Sequence, residues 1–167
     1  MMWVAVKRLH YKPAPCVVLK GGLLDWHLIL FDAKEKLLRH TVFICSTCRE
    51  NDEAAPKGEG LAFELKALFA NSDNPKIRDF DVQTFECMSA CANPTAISFR
   101  ANGKAVYLFS GIDPATDHND ILAFADLYQA AADGWIEDAR PCGRLRFCLI
   151  GRIPAQDAKP HSITEPE

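Results

Sequence analysis

The sequence lacks any long hydrophobic run. A membrane-spanning helix needs roughly 20 consecutive apolar residues, and no stretch of the 167 residues approaches that length. The start of the chain also lacks the pattern of a secretory signal, because Lys7 and Arg8 precede the proline-containing segment 11–15 instead of an apolar run. We therefore expect a cytoplasmic protein that has no contact with a membrane.

A large excess of charge is also missing. The net charge of −3 is too small to predict binding to nucleic acid. Residues 1–40 are nevertheless net basic and the remainder of the chain is net acidic, so the composition changes near His40. We interpret 1–40 as an N-terminal extension, either packed on the domain or, preferably, translated upstream of the true start. Residues 41–153 form the expected domain, and 154–167 a flexible tail.

Histidine is scarce in the expected domain. His118 is the only histidine between residues 41 and 153. Catalytic zinc sites usually recruit histidine and keep an open coordination position, and Ser-His-Asp or Cys-His sites need one as well. We expect His118 to be a solvated residue at the start of a helix. The scarcity argues against a hydrolytic zinc enzyme and against these catalytic arrangements, so we expect no catalytic residue.

The hydrophobic pattern of the domain predicts an α/β fold. A β-prone run comes first, then a helical face, an alternating strand, two further β-rich runs joined by Asn102-Gly103, and a second helical face. Asp117 and Asp120 resemble a capping box at the start of that second helix. This order predicts a small mixed sheet with flanking helices. The segments are, in chain order, 41–44, 61–69, 80–84, 95–99, 104–109 and 117–132.

Cysteine is abundant, in contrast to histidine. The chain has seven cysteines, and in a reducing compartment such a number favours a metal or redox site over disulfides. Four of them form two closely spaced pairs, and each pair follows a predicted strand. If those strands are parallel neighbours, all four thiols converge at one edge of the sheet. Thiolates are soft ligands that favour zinc or an iron–sulfur cluster. The pairs are Cys45 with Cys48, and Cys87 with Cys91.

The segment Cys87-Met88-Ser89-Ala90-Cys91-Ala92-Asn93-Pro94 resembles the second cysteine turn of thioredoxin-like (2Fe-2S) ferredoxins. The segment 42–49 resembles an uncharacterised bacterial family of predicted metal-binding proteins, over roughly 41–153. These resemblances imply a thioredoxin-like fold and a 2Fe-2S cluster held by Cys45, Cys48, Cys87 and Cys91. They also imply one-electron transfer to a redox partner protein.

Two alternatives remain open at the sequence level. Only two residues separate Cys45 from Cys48, fewer than the ferredoxins usually have there, and such a tight pair suits zinc equally well. The chain could therefore be a non-redox module for zinc or another soft metal. A thiol–disulfide exchanger is less favoured, because residues 49–60 form a polar loop and no helix N-terminus follows Cys48 closely in sequence to lower a thiol pKa.

The remaining cysteines and the arginines near the end of the domain give weaker signals. Cys148 lies in an apolar run and is expected in the core. Cys142 is a possible spare ligand, and Cys16 lies in the extension. The arginine cluster is either a solvated face or a docking patch for an acidic partner or an anionic ligand. Its members are Arg140, Arg144, Arg146 and Arg152.

Overall fold

The computed structural model describes residues 39–49, 51 and 54–158. The predictions about residues 1–38 and 159–167 lie outside this range. The described residues form strands and helices in the following order, with two short 3-10 turns before the last strand. The elements are β1 (Thr41–Cys45), α1 (Gly58–Ala70), α2 (Pro75–Arg78), β2 (Asp81–Phe85), β3 (Ile97–Arg100), β4 (Val106–Phe109), α3 (His118–Ala130), η1 (Arg140–Cys142), η2 (Leu145–Phe147) and β5 (Leu149–Ile153).

The strands form one mixed sheet in the order β2-β1-β3-β4-β5. β1 and β2 are parallel and are joined through α1, whereas β3, β4 and β5 continue the sheet in antiparallel fashion. The chain thus forms a strand-helix-strand unit followed by a hairpin, a packing helix and an added edge strand. The predicted α/β class, a small mixed sheet with flanking helices, is confirmed.

Both long helices pack on the same hydrophobic core. Alternate residues of β1, Val42 and Ile44, are fully buried, as the strand period of two requires. Leu65 of α1 and Tyr128 of α3 belong to the same buried cluster, and the two helices contact each other. Phe99 of β3 lies against several aromatic rings in this core. Its ring partners are Phe80, Phe109, Phe124 and Tyr128.

Some local structure differs from the pattern-based prediction. β5 was not predicted, because its residues Leu149, Ile150 and Ile153 are all exposed and the strand has no buried, alternating face. The hairpin turn at Asn102-Gly103 is present, but only Gly103 adopts a positive φ, of 68°. The turn is therefore not the double left-handed type that an Asn-Gly pair often forms.

Lys104 closes the C-terminal end of α3 from outside the helix. Its ammonium group donates hydrogen bonds to the carbonyl oxygens of Tyr128 at 2.8 Å and Gln129 at 3.0 Å, and also to that of Ala131. The last carbonyls of a helix have no partner within the helix, and a cation there also interacts favourably with the helix dipole. Lys104 thus ties the β3–β4 hairpin to α3, a contact that the sequence pattern did not indicate.

His40 couples the stability of the fold to pH. Its ring stacks on Phe80 at 4.8 Å, and its buried Nε2 has no hydrogen-bond partner in the described part of the chain. Burial, with a smaller contribution from the charge of Lys104, lowers the pKa of His40 to about 4. The unfolded chain therefore takes up a proton near pH 6.5 that the folded chain resists until about pH 4.

We expect the free energy of unfolding to fall by roughly 1–2 kcal/mol between pH 6.5 and pH 4 because of His40, less than the full shift implies because the half-buried ring is partly screened by solvent. The His40→Phe variant keeps a stacking ring but cannot take up a proton, so its stability should depend less on pH in that window. Urea unfolding of both proteins across this range measures the difference. An equal loss of unfolding free energy between pH 6.5 and pH 4 in both proteins would contradict this account of His40.

None of the helices formed by the described residues is long and apolar enough to cross a membrane.

Candidate metal centre

The two cysteine pairs lie at the same end of neighbouring parallel strands. Cys45 is the last residue of β1, and it pairs in register with Phe85, the last residue of β2. Cys48 lies in the turn after β1, and Cys87 lies two residues beyond Phe85. The predicted pairing of the two strands is therefore present, and it brings both cysteine-bearing turns to one edge of the sheet.

Backbone hydrogen bonds continue between the two chains beyond the last strand residues. The Ser46 amide donates to the Phe85 carbonyl at 2.8 Å, and the Thr47 amide to the Glu86 carbonyl at 3.3 Å. The Thr47 hydroxyl donates to the same Glu86 oxygen at 2.6 Å. These bonds fix the position of the first cysteine turn relative to the segment that leads into Cys87.

The first pair is buried and the second is exposed. Cys45 and Cys48 form a small apolar cluster with Ala90 and Ala96, separate from the main core. Because Ala90 lies between Cys87 and Cys91 in the sequence, its burial holds that loop against the first pair. The thiols of Cys87 and Cys91 remain accessible to solvent.

The first two thiols are electrostatically coupled. Burial alone raises the pKa of Cys45, but hydrogen bonds with Thr47 and Cys48 outweigh it and lower the pKa to about 7. Burial raises the pKa of Cys48 to about 11, with further contributions from the hydrogen bond to Cys45 and from the charges of Cys45 and Cys91. Cys91 is thus near enough to affect the ionisation of Cys48, so the two pairs interact.

The Cys87 sulfur receives a backbone hydrogen bond within its own turn. The Ser89 amide donates to Cys87 Sγ at 3.4 Å, and Ser89 adopts a left-handed conformation with φ of 55°. Amide donors of this kind stabilise a thiolate, because its negative charge is the better acceptor. The turn therefore supplies one backbone donor to a ligating sulfur at this position.

The four thiols do not surround one point. Within the described residues, no group of three or more histidine, cysteine or acidic side chains is arranged so as to hold a metal ion. By chemistry, four cysteines fit a soft metal or an iron–sulfur cluster. Joint ligation requires the exposed side chains of Cys87 and Cys91 to turn towards the buried pair.

The N-terminus of α1 contacts the first cysteine turn, which the sequence spacing had not indicated. The polar loop after Cys48 returns, so that the Lys57 amide donates to the Cys48 carbonyl at 3.3 Å. A side chain added at Gly58 would overlap the carbonyl oxygen of Cys45. The sequence-based argument that no helix N-terminus is near the thiols was therefore wrong, because the folded chain brings the start of α1 against this turn. The burial of Cys45 and Cys48 still shields both thiols from an external disulfide.

We expect Gly58→Ala to destabilise the protein by about 1–3 kcal/mol, because the new methyl group forces α1 away from β1. Gly60 lies two residues further along the same helix and has open space around its Cα, so Gly60→Ala is the matched control. Urea unfolding should show a lower midpoint for Gly58→Ala alone. Equal midpoints for the two variants would contradict the contact between α1 and the cysteine turn.

The other described cysteines belong to the main core and not to the cluster that contains Cys45 and Cys48. Cys148 is buried in the core, as predicted, and Cys142 is also fully buried, in η1. Cys142 therefore does not lie in an open loop as a spare ligand would. His118 begins α3 as predicted, but its Nε2 lies 3.0 Å from Glu64 Oε2 and is not simply solvated. Cys16 lies outside the described residues.

The prediction of a capping box at Asp117 was wrong. Asp117 precedes α3, but its side chain makes no capping hydrogen bond. It is buried, and it accepts hydrogen bonds from the Asp113 amide at 2.8 Å and from Arg144 Nε at 2.8 Å. The Asp117 carboxylate therefore forms an ion pair with the distant Arg144 instead of capping the N-terminus of α3.

The arginine cluster does not form one solvated face, because its members have separate partners. Arg144 pairs with the buried Asp117, whereas Arg140 pairs with the exposed Asp138. Arg152 stacks on the Trp135 ring at 3.4 Å. Arg146 lies over the ring of Phe147 at 4.5 Å.

The sequence matches the model of a family described as "Protein of unknown function (DUF1636)" over residues 42–155. This match covers more than half of the chain, and the protein belongs to that family. No curated protein is significantly similar to it.

Two solved structures are similar to the chain, and both are thioredoxin-like [2Fe-2S] ferredoxins from Aquifex aeolicus. The wild-type protein, solved at 1.5 Å, is 13% identical with a TM-score of 0.42, and the match covers 68% of this chain and 98% of that one. The other is 14% identical with a TM-score of 0.43, covering 76% and 99%. Similarity at this level carries no argument about function, which rests on the residues of the site.

Proposed function

We propose that this protein is a small four-cysteine metal protein in which Cys45, Cys48, Cys87 and Cys91 hold a 2Fe-2S cluster. The observation that carries the proposal is the register of β1 with β2, which sets both cysteine pairs at one edge of the sheet. The coupling of Cys48 to both Cys45 and Cys91 supports it. Within the buried pair Cys45 has a lowered pKa and Cys48 a pKa raised to about 11, so ligation would require the metal to displace the Cys48 proton.

When bound, such a cluster would accept and release one electron at a time. The chain would hold the cluster and adjust its reduction potential. The buried pair excludes water from one side, the Ser89 amide donates to the Cys87 sulfur, and the exposed pair leaves the other side open to a partner protein. A second protein would then deliver or remove the electron, and the chain by itself would not be an enzyme.

The second candidate function is a non-redox module for zinc or another soft metal. The short Cys45–Cys48 turn favours it, because the two residues between the ligands match the spacing common in structural zinc sites. Zinc has no redox chemistry, so this alternative removes electron transfer while keeping the same four ligands.

Anaerobic purification followed by metal and sulfide analysis tests the choice between the two. The electron-carrier proposal predicts brown protein with two iron and two sulfide per chain and a visible absorption that dithionite bleaches. Colourless protein with one zinc per chain supports the second candidate and rejects the first. Protein that retains neither metal after supply of both would contradict the shared four-cysteine site.

A further inference from the structure

The segment 87–94, here termed the cysteine loop, carries the second cysteine pair and is fastened to the end of β4. Ser110 follows β4 directly and is buried. Its hydroxyl donates to the Ala90 carbonyl at 3.2 Å and also to the Asn93 carbonyl. The cysteine loop is thus held by a side chain from a strand that contributes none of the four cysteines.

The Ser110 contact is most important for the Ala90 carbonyl. A serine hydroxyl has a single proton to donate, so Ser110 shares that proton between two carbonyls of the loop. The Asn93 carbonyl also accepts the Gly111 amide at 2.7 Å. Among the described residues, the other donor to the Ala90 carbonyl is the Asn93 amide, at the longer distance of 3.4 Å. Loss of the Ser110 hydroxyl should therefore loosen the loop first at Ala90.

Ala90 is also the residue through which the cysteine loop covers the first cysteine pair. It is buried in the small apolar cluster that contains Cys45 and Cys48. Only 1% of Cys45 and 4% of Cys48 are exposed. The contacts therefore run from the Ser110 hydroxyl, through Ala90, to the two buried thiols.

The end of β4 is held firmly on its other side. The Ser110 amide donates to the Cys148 carbonyl at 2.9 Å, and Arg144 Nη2 donates to the Gly111 carbonyl at 2.9 Å. Both bonds are independent of the Ser110 hydroxyl. If the hydroxyl releases its acceptors, we therefore expect the cysteine loop to move and the end of β4 to stay in place.

We propose that Ser110 is a positioning residue that holds the cysteine loop over Cys45 and Cys48, and that this contact controls how fast a metal ion or a thiol reagent reaches them. Local openings of a folded chain cost less free energy than global unfolding, so one hydrogen bond changes how often they occur. The effect on metal exchange rests on the proposed function, whereas the effect on access to the two thiols does not.

Alkylation of the reduced, metal-free full chain with iodoacetamide, followed by mass spectrometry of each cysteine peptide, tests the proposal. In Ser110→Ala, Cys45 and Cys48 should react about fivefold faster than in the wild type, because one hydrogen bond no longer opposes opening. Cys142, which is fully buried in the main core, is the internal reference. Its rate should be unchanged, whereas a general loss of stability would accelerate all three thiols.

A second variant changes the cover and keeps the Ser110 contact. Ala90→Gly removes the methyl group that packs in the cluster of Cys45 and Cys48 but leaves the carbonyl that accepts from Ser110. It should also accelerate alkylation of these two thiols. Unchanged rates in Ala90→Gly would overturn the assignment of Ala90 as the cover.

Ser98→Ala is the matched control, because Ser98 is a half-buried serine on β3 whose neighbours across the sheet belong to β1 and β4. It should leave every alkylation rate unchanged. Equal alkylation of Cys45 in the wild type and in Ser110→Ala would overturn the proposal. An equal acceleration of Cys45 and Cys142 in Ser110→Ala would overturn it as well.

Loss of zinc to a chelator from the zinc-loaded full chain measures the effect on metal exchange. We expect this loss to be about fivefold faster in Ser110→Ala than in the wild type. An unchanged rate of zinc loss alongside faster alkylation would overturn control of metal exchange by Ser110. If the alkylation rates changed as expected and neither protein took up zinc or iron, the proposed metal function would fail and the role of Ser110 in covering the thiols would stand.

Discussion

Replacing Cys87 with serine is expected to abolish metal retention after desalting, whichever metal the protein holds. A serine hydroxyl is a poor ligand for a soft metal, so three thiolates would remain where four are needed. Cys87 is exposed and belongs to neither buried cluster, so the substitution should leave the fold unchanged. Loss of metal with a urea midpoint equal to that of the metal-free wild type therefore identifies a ligand and not a folding defect.

Cys148→Ala provides the control for that experiment. Cys148 is a free cysteine of the main core, outside the cluster that contains Cys45 and Cys48. It should lower the urea midpoint slightly and keep the full metal content. If Cys87→Ser retained as much metal as the wild type, the ligand set proposed here would be wrong.

Replacing Arg144 with methionine is expected to lower the free energy of unfolding by about 3 kcal/mol. The change leaves the carboxylate of Asp117 buried without its counter-charge, and breaking one side of a buried pair is strongly destabilising. The figure lies at the low end of the usual range, because half of the Arg144 side chain is exposed. Asp117 also keeps its hydrogen bond from the Asp113 amide.

The ion pair between Arg140 and Asp138 is the matched control, since both of its side chains are largely exposed. Arg140→Met should leave the urea midpoint unchanged, as isolated surface pairs contribute little. The double variant Arg144→Met with Asp117→Asn should be less destabilised than Arg144→Met alone, because it no longer buries an unpaired charge. Equal midpoints for Arg140→Met and Arg144→Met would contradict the role assigned to the buried pair.

The parts of the structure that were predictable from the sequence are those with a strong local pattern. The β-prone run of β1, the alternation of β2 and the helical face of α1 placed Cys45 and Cys87 at the ends of neighbouring strands. β5 was not predicted from the sequence, because Ile150 and Ile153 are exposed on an edge strand. Its residues are positioned by pairing with β4, which leaves no periodic signal in a single sequence.

The errors at the site come from contacts between distant residues. Asp117 has the sequence of a cap, but Arg144, 27 residues away, takes its carboxylate. The proximity of α1 to Cys45 depends on how a polar loop returns, and Gly58 in the sequence is equally consistent with an ordinary flexible loop. Tertiary partners thus decided between local alternatives that the sequence left equivalent.

X-ray absorption at the metal edge of the purified, metal-loaded protein tests the four-sulfur site most directly. The account predicts a first shell made only of sulfur, four atoms per metal, at roughly 2.3 Å if the metal is zinc. Sulfide would supply two of the four around each iron of a 2Fe-2S cluster. A shell containing nitrogen or oxygen ligands would contradict ligation by Cys45, Cys48, Cys87 and Cys91 together.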